Sequence, residues 1–178
     1  NEPFIRHFPQ AEFQEGSPVI APDNSGVYFT IRDEVYFIDV EGNTRLIAKL
    51  PADLVRNRPV FHISTTLTVS ADGEKLLLDC HIGSAFYVAT ADIKTGEIKV
   101  LHRFARCYNH AQFSPTDPEL FIIDQDWWHD IVSGEGFHFD QRIWLMNQSQ
   151  TKFEPLIPQN WFNHGSENCH DFFAKDGN

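Results

Sequence analysis

Two histidines occupy matching positions in the sequence, and their side chains have the chemistry of an enzyme site. His110 and His170 each stand four residues before a recurring turn phrase, which places them at the same rim of the predicted fold. A neutral imidazole accepts a proton near neutral pH, because its ordinary pKa is about 6.5, and it also binds first-row metals. We interpret five other histidines as ordinary surface or core residues: His7, His62, His102, His138 and His164.

Further polar and aromatic residues lie where the second strands of the predicted repeats end, at the same rim. Loops at such a rim commonly carry function on a rigid scaffold. Trp127 and Trp128 can either stack on a sugar ring there or simply cover the neighbouring loop. We therefore expect titratable and ring-stacking groups to converge in one funnel. The candidate substrate-binding residues are Arg32, His81, Gln125, Trp128 and His129.

A turn phrase rich in Asp, Ser, Pro and Gly recurs along the chain and defines the elements that hold this rim. The four phrases begin at Ala21, Ser70, Ser114 and Ala174. Each of the first three is preceded by one predicted strand and followed by three more, which in the first repeat are residues 27–31, 35–40 and 45–50. Four strands in a repeat of about 40–50 residues are typical of a β-propeller blade.

The sequence therefore predicts an all-β protein, a propeller fragment of three four-stranded blades and the first strand of a fourth. The predicted blades span residues 14–51, 62–103 and 108–158, and the next begins at 167–178. An insert at 130–139 lengthens the third repeat, and residues 51–56 are the best helix candidate. The alternative is a single sandwich or barrel with similar turns. Because three blades leave an open edge, we expect more chain or further copies to complete the ring.

Composition excludes several classes of protein. The chain has 178 residues, of which 42% are hydrophobic and 22% charged, as in one ordinary globular domain. Its net charge of −11 makes it a poor binder of nucleic acid or of an anionic membrane, and it has no apolar run of the roughly 18 residues that a membrane helix needs. Three scattered cysteines predict no disulfide framework, which favours a reducing compartment such as the cytoplasm.

Four motifs in the second half carry a resemblance to a known family. They are residues 109–115, which open a blade, 128–132, 140–147 and 164–173. In this order they resemble the oligogalacturonate lyases, seven-bladed propeller enzymes of pectin breakdown. The specific similarity covers residues 105–178, whereas residues 1–104 are similar only to generic blades such as those of TolB-like proteins.

The resemblance implies cleavage of short oligogalacturonides by β-elimination. His110 falls on the family's catalytic histidine, which removes the C5 proton, and His170 falls on one of its metal-ligating histidines. A divalent cation, expected to be Mn²⁺, would offset the charge of the uronate carboxylate, with its remaining ligands beyond residue 178. The family also uses an arginine from the blade before the base. The matching place at 85–87 holds none, and Arg103 and Arg106 are the alternatives.

Two other functions stay open at this level. A non-catalytic propeller would bind a sugar or a protein without turnover, and the missing arginine favours it slightly. A TolB-like interaction scaffold in the cell envelope is the third hypothesis, and it keeps a periplasmic location open beside the cytoplasmic one. Arg142 and Trp144 fall on a predicted strand in every case, so we interpret them as structural.

Overall fold

The first sheet follows the strand pattern expected from the sequence. The computed structural model describes residue 16 and residues 18–130, 133–139, 141–157 and 171–178. The sheet is antiparallel, and its strands pair in chain order: β1 (Val19–Ile20), β2 (Gly26–Ile31), β3 (Glu34–Asp39) and β4 (Thr44–Lys49). The short helix α1 (Ala52–Val55) follows, inside the predicted helical segment.

The second sheet differs from the first in its innermost strand, which is interrupted. Two short strands, β5 (Val60–His62) and β6 (Thr68–Val69), both pair with β7 (Lys75–Ile82). β7 then pairs with β8 (Ala85–Asp92), and β8 pairs with β9 (Ile98–Phe104). Residues 63–67 leave the ladder between β5 and β6, so their polar groups are available for other contacts.

The third sheet carries the predicted insert. Its first strands are β10 (Tyr108–Phe113) and β11 (Leu120–Gln125). The insert hairpin, formed by β12 (Trp128–His129) and β13 (Gly136–Phe137), then leaves the sheet as a separate two-stranded unit. The sheet is completed by β14 (Ile143–Asn147) and β15 (Phe153–Pro155).

The recurring turn phrase has the same hydrogen bonds in all four places. The N–H of its first residue donates to a carbonyl just beyond the turn, in the pairs Ala21 to Gly26, Ser70 to Lys75, Ser114 to Leu120 and Ala174 to Asn178. An aspartate side chain in each turn also accepts from the N–H two residues later, at Asp23, Asp72, Asp117 and Asp176. The sequence repeat is therefore a structural repeat. Residues 171–178 form this turn without a strand, and the start of the predicted fourth blade, at 167–170, lies outside the described residues.

The middle blade is buried on both faces, which identifies it as one layer in a stack of blades. Along β7, Leu76, Leu78 and Cys80 face the first sheet, and Leu77 faces the third. This alternation follows from the two-residue period of a strand. Because both faces are covered, β7 and β8 are buried along nearly their whole length, unlike the half-exposed strands of the first sheet.

Polar contacts add to this packing at the boundary between the second and third blades. The N–H of Phe113 on β10 donates to Thr68 Oγ1 on β6 at 2.9 Å. At the outer side, Lys75 Nζ donates to Gln148 Oε1 at 3.0 Å. The described residues thus form three successive propeller blades, as predicted. No helix among them is long and apolar enough to span a membrane.

Candidate functional site

His110 occupies a distorted point of the innermost strand of the third blade. The register of β10 with β11 shifts between Asn109 and Gln112, and His110 has a φ of 53°. A non-glycine residue in this left-handed region is uncommon. The backbone strain is of order 1–3 kcal/mol, so the conformation persists only where surrounding contacts hold it. The bulge also turns the N–H of His110 out of its own sheet, where it needs another acceptor.

That acceptor comes from the preceding blade. Asp79 on β7 is completely buried, and its Oδ2 accepts the N–H of His110 at 2.8 Å. Thr65, from the interruption between β5 and β6, donates its N–H to Asp79 Oδ1 at 2.8 Å, and its Oγ1 also accepts from the His110 N–H at 2.8 Å. Burial raises the pKa of Asp79 to about 6, against the lowering effect of these hydrogen bonds. Asp79 and Thr65 therefore fix the backbone of His110 across the blade boundary.

Three histidines gather at this end of the second and third blades. His62 on β5 pairs with His81 on β7, and their ring centroids are 5.8 Å apart. Burial lowers the pKa of His62 to about 4, and the nearby His81 and His110 add to the effect. Burial also lowers the pKa of His81. His62 is largely buried, as the interpretation of it as a core residue allows, and it also lies beside His81 and His110.

An aromatic row extends from these histidines to the insert hairpin. The ring of His81 is stacked between Phe61 at 4.4 Å and Phe86 at 4.1 Å. Phe86 in turn meets the edge of Trp128 on β12 at 5.8 Å. The predicted rim residues His81 and Trp128 are thus joined through one phenyl ring. The exposed neighbours of Trp128, which are Trp127 and His129, share the hairpin's other face, with their ring centroids 4.1 Å apart.

Gln125 ends β11 next to a buried ion network. Its side chain is buried, and its carbonyl accepts from Arg142 Nη1 at 3.2 Å. Arg142 also pairs with Asp124 at 3.2 Å and with Asp126 at 2.7 Å, which are the contacts of a structural residue. Burial raises the pKa of Asp124 to about 7, although Arg142 acts in the opposite direction. A role for Gln125 in binding substrate stays a prediction.

The structure brings two arginines next to residues 85–87, a segment that has no arginine of its own. Arg58, in the loop before β5, donates Nη1 to Tyr87 Oη at 2.9 Å, and Arg103 on β9 lies opposite Tyr87 in the ladder. The side chain of Arg58 passes over the turn at Gly83, two residues beyond His81. Spacing could not find Arg58, because its loop folds back onto β8 only in three dimensions. Arg32 lies in the β2–β3 turn of the first blade and lowers the pKa of Glu34 there, after the larger effects of Lys49 and Tyr36.

The predicted metal ligand His170 lies outside the described residues. Within the part of the chain that the structure describes, no group of three or more His, Cys, Asp or Glu side chains is arranged to hold a metal ion. Asp171, next to His170 in the sequence, and Asp124 each have a buried carboxylate oxygen without a hydrogen-bond partner there. These two oxygens and the described histidines do not make a metal site by themselves.

Comparison with known proteins shows a likeness in fold. No family model and no curated protein matches this chain. An oligogalacturonate lyase in complex with manganese is similar with a TM-score of 0.63 at 16% identity, covering 80% of this chain and 40% of that one. The oligogalacturonate lyase of Vibrio parahaemolyticus has a TM-score of 0.62 at 15% identity, with the same coverage. The chain thus has the fold of a β-propeller fragment similar to that of these lyases, and it spans 40% of their length.

Proposed function

We propose that this protein is a polysaccharide lyase that cleaves short oligogalacturonides by β-elimination, with His110 as the base. The observation that carries the proposal is the position of His110. Its backbone is held in a left-handed conformation by a buried carboxylate from the neighbouring blade, at the rim where two further histidines and an aromatic row meet. The fixed backbone carries a half-buried imidazole, the group that most often serves as a general base. The similarity in fold to two oligogalacturonate lyases supports the same function.

The reaction balances with one base and the solvent. His110 takes the proton from C5 of the uronide, and the electrons of the C5–H bond form the C4–C5 double bond. The C4–O bond breaks, its electron pair leaves with the glycosidic oxygen, and water protonates that oxygen. A positioned base of this kind contributes about 10²–10⁴-fold to such a step.

Positive charge at the rim has to come from groups other than the two neighbouring histidines. The pKa of His62 is about 4, so its ring is neutral near pH 7, and the pKa of His81 is lowered in the same direction. Arg58 is the cation that the fold brings next to the turn after β7. We propose that Arg58, with Arg32 from the first blade, attracts the uronate carboxylates against the overall charge of −11.

The expected manganese ion rests on His170 and on one similar lyase, which is described in complex with manganese. A divalent cation would supply Lewis acidity at the uronate carboxylate when it is bound. His170 would supply one of its ligands, and the described residues do not make a complete metal site alone.

The test is the ultraviolet absorbance of the unsaturated product. The intact protein is mixed with di- or trigalacturonate and Mn²⁺, and we expect the absorbance to rise. His110→Ala should abolish the rise, whereas His102→Ala, a histidine packed between Phe104 and Phe153 on the outer strands, should leave it unchanged. No rise with folded protein would refute the lyase, and calorimetric binding without product would support the non-catalytic propeller instead.

A further inference from the structure

The insert hairpin presents one of its two adjacent tryptophans to solvent. Successive side chains on a strand point to opposite faces, so Trp127 and His129 share one face and Trp128 the other. Trp128 points towards Phe86 and the body of the blade. Trp127 is 49% exposed, with the ring of His129 at 4.1 Å and that of His138 at 6.3 Å. The outer face therefore offers a flat indole bordered by imidazoles, whose ring nitrogens can bind hydroxyl groups.

The backbone that carries the exposed indole is held in place, and the His129 ring packs against the indole. The N–H of Trp127 donates to Asp126 Oδ1 at 2.8 Å, and the same carboxylate pairs with the buried Arg142 at 2.7 Å. Across the hairpin, Gly136 leaves the space that the His129 ring occupies, because a Cβ at this position would lie 3.1 Å from Cε1 of that ring. Side-chain order that precedes binding lowers the entropic cost of binding a ligand.

The charge around the indole selects the ligand. Within the hairpin segment 126–139 the sequence contains three carboxylates and no lysine or arginine. Asp126 is paired with Arg142. The side chain of Glu135 is exposed, and Asp130 is partly exposed and accepts the N–H of Ser133. An anionic uronide at this place would be repelled, and an uncharged sugar ring would not. Sugar rings present C–H groups to aromatic faces and hydroxyl groups to the imidazoles.

We propose that Trp127, His129 and His138 form an outer subsite for an uncharged sugar ring, such as a methyl-esterified galacturonide unit. The subsite lies on the same hairpin as Trp128, whose opposite-facing ring leads by two ring contacts to His81 in the candidate site. This inference rests on the proposed function for its ligand class. A substrate that carries an ester on the unit bound here would be preferred to the same substrate in its fully ionised form.

The test measures binding without turnover. In the intact protein with His110→Ala, calorimetry compares unesterified trigalacturonate with trigalacturonate that carries a methyl ester on one terminal unit, so that the other carboxylates remain available to the candidate site. We expect the esterified form to bind more tightly. Adding Trp127→Ala should weaken its binding about tenfold, the equivalent of ~1.4 kcal/mol of ring contact, and should remove the preference. Trp127→Phe should keep part of the affinity, and Val40→Ala, at an exposed apolar residue of the first blade, should change nothing.

Each remaining outcome counts against the subsite. Equal affinity of Trp127→Ala and its parent for the esterified trimer would overturn it, and so would a preference for the unesterified trimer or no binding of either. Absorbance assays of the protein with His110 intact keep the two proposals apart. Lyase activity together with unchanged binding in Trp127→Ala would remove the subsite alone, whereas Trp127-dependent binding without any lyase activity would remove the proposed reaction alone.

Discussion

Replacing Asp79 by asparagine should change the pH dependence of stability in a direction set by its burial. The carboxylate accepts the N–H groups of Thr65 and His110 on its two oxygens. Asparagine has nearly the same shape, but whichever way its amide is turned, the NH₂ group faces one of these N–H donors. Losing one of these hydrogen bonds costs about 1–3 kcal/mol, although the N–H of His110 keeps Thr65 Oγ1 as an acceptor if the NH₂ group is turned towards it.

The opposing effect comes from the charge that the wild-type protein buries. Folding raises the pKa of Asp79 from 3.8 to about 6. Between these values the folded state binds more protons than the unfolded state, so this group's contribution to the free energy of unfolding falls as the pH rises. The rise of about two pH units is worth about 3 kcal/mol. Asp79→Asn should therefore be less stable than wild type at pH 4 and close to it at pH 7.

Urea unfolding of both proteins, followed by tryptophan fluorescence at pH 4 and pH 7, measures the two differences. The control is Asp92→Asn, because Asp92 is an exposed turn residue whose pKa is lowered by hydrogen bonds from Thr95. The contribution of Asp92 to the free energy of unfolding is present above the unfolded-state pKa and is lost as the pH falls. The stability difference between Asp92→Asn and wild type should therefore be larger at pH 7 than at pH 4, the opposite of Asp79→Asn. A stability difference between Asp79→Asn and wild type that is the same at both pH values would refute the reasoning.

Three further changes test other parts of the fold by the same unfolding measurement. The pKa of His62 falls from 6.5 to about 4 on folding, so the stability of wild type relative to His62→Phe should fall by about 3 kcal/mol between pH 6.5 and pH 4. Arg142→Met leaves two carboxylates without their cation and should cost about 3–5 kcal/mol, against at most about 1 for the exposed pair broken by Lys152→Met. Gly96→Ala should cost more than Gly73→Ala, because both have a φ near 75° but only at Gly96 would a Cβ meet a backbone oxygen, at 2.5 Å on β4. Equal losses of stability in Arg142→Met and Lys152→Met, or in Gly96→Ala and Gly73→Ala, would contradict the reasoning for that pair. A pH dependence of stability that is the same in His62→Phe and wild type would contradict the reasoning for His62.

The blade architecture could be predicted from the sequence because its determinants are local. The phrase at Ser70 forms its turn through contacts within six residues, and the same holds at Ser114. Strand periodicity then sets which residues face the neighbouring blades, as the alternation of Leu76 and Leu77 shows. Equivalent turns also place equivalent residues at one end of each blade, which is why His81 and His110 could be predicted to share a rim.

Which further residues join the site could not be predicted from the repeat, because their contacts do not follow its period. His62 precedes the interruption of the innermost strand, so aligning the turn phrases does not mark it, yet the register of β5 with β7 sets it opposite His81. Arg58 reaches Tyr87 from a loop that is 29 residues away in the sequence. Such contacts depend on the conformation of the loops, which cannot be predicted from the spacing of residues in the sequence.

The sequence by itself determined the repeat, the all-β class and the type of side chain offered at the rim, because turns and strand faces are decided by residues close together in the chain. Only the tertiary structure decided how His110 is held. Its left-handed backbone is tolerable because Asp79, 31 residues earlier in another blade, is buried where it can accept the N–H that the bulge releases. A buried hydrogen bond between blades exists only once the blades are packed together, and that packing determines which residues at the rim can act together.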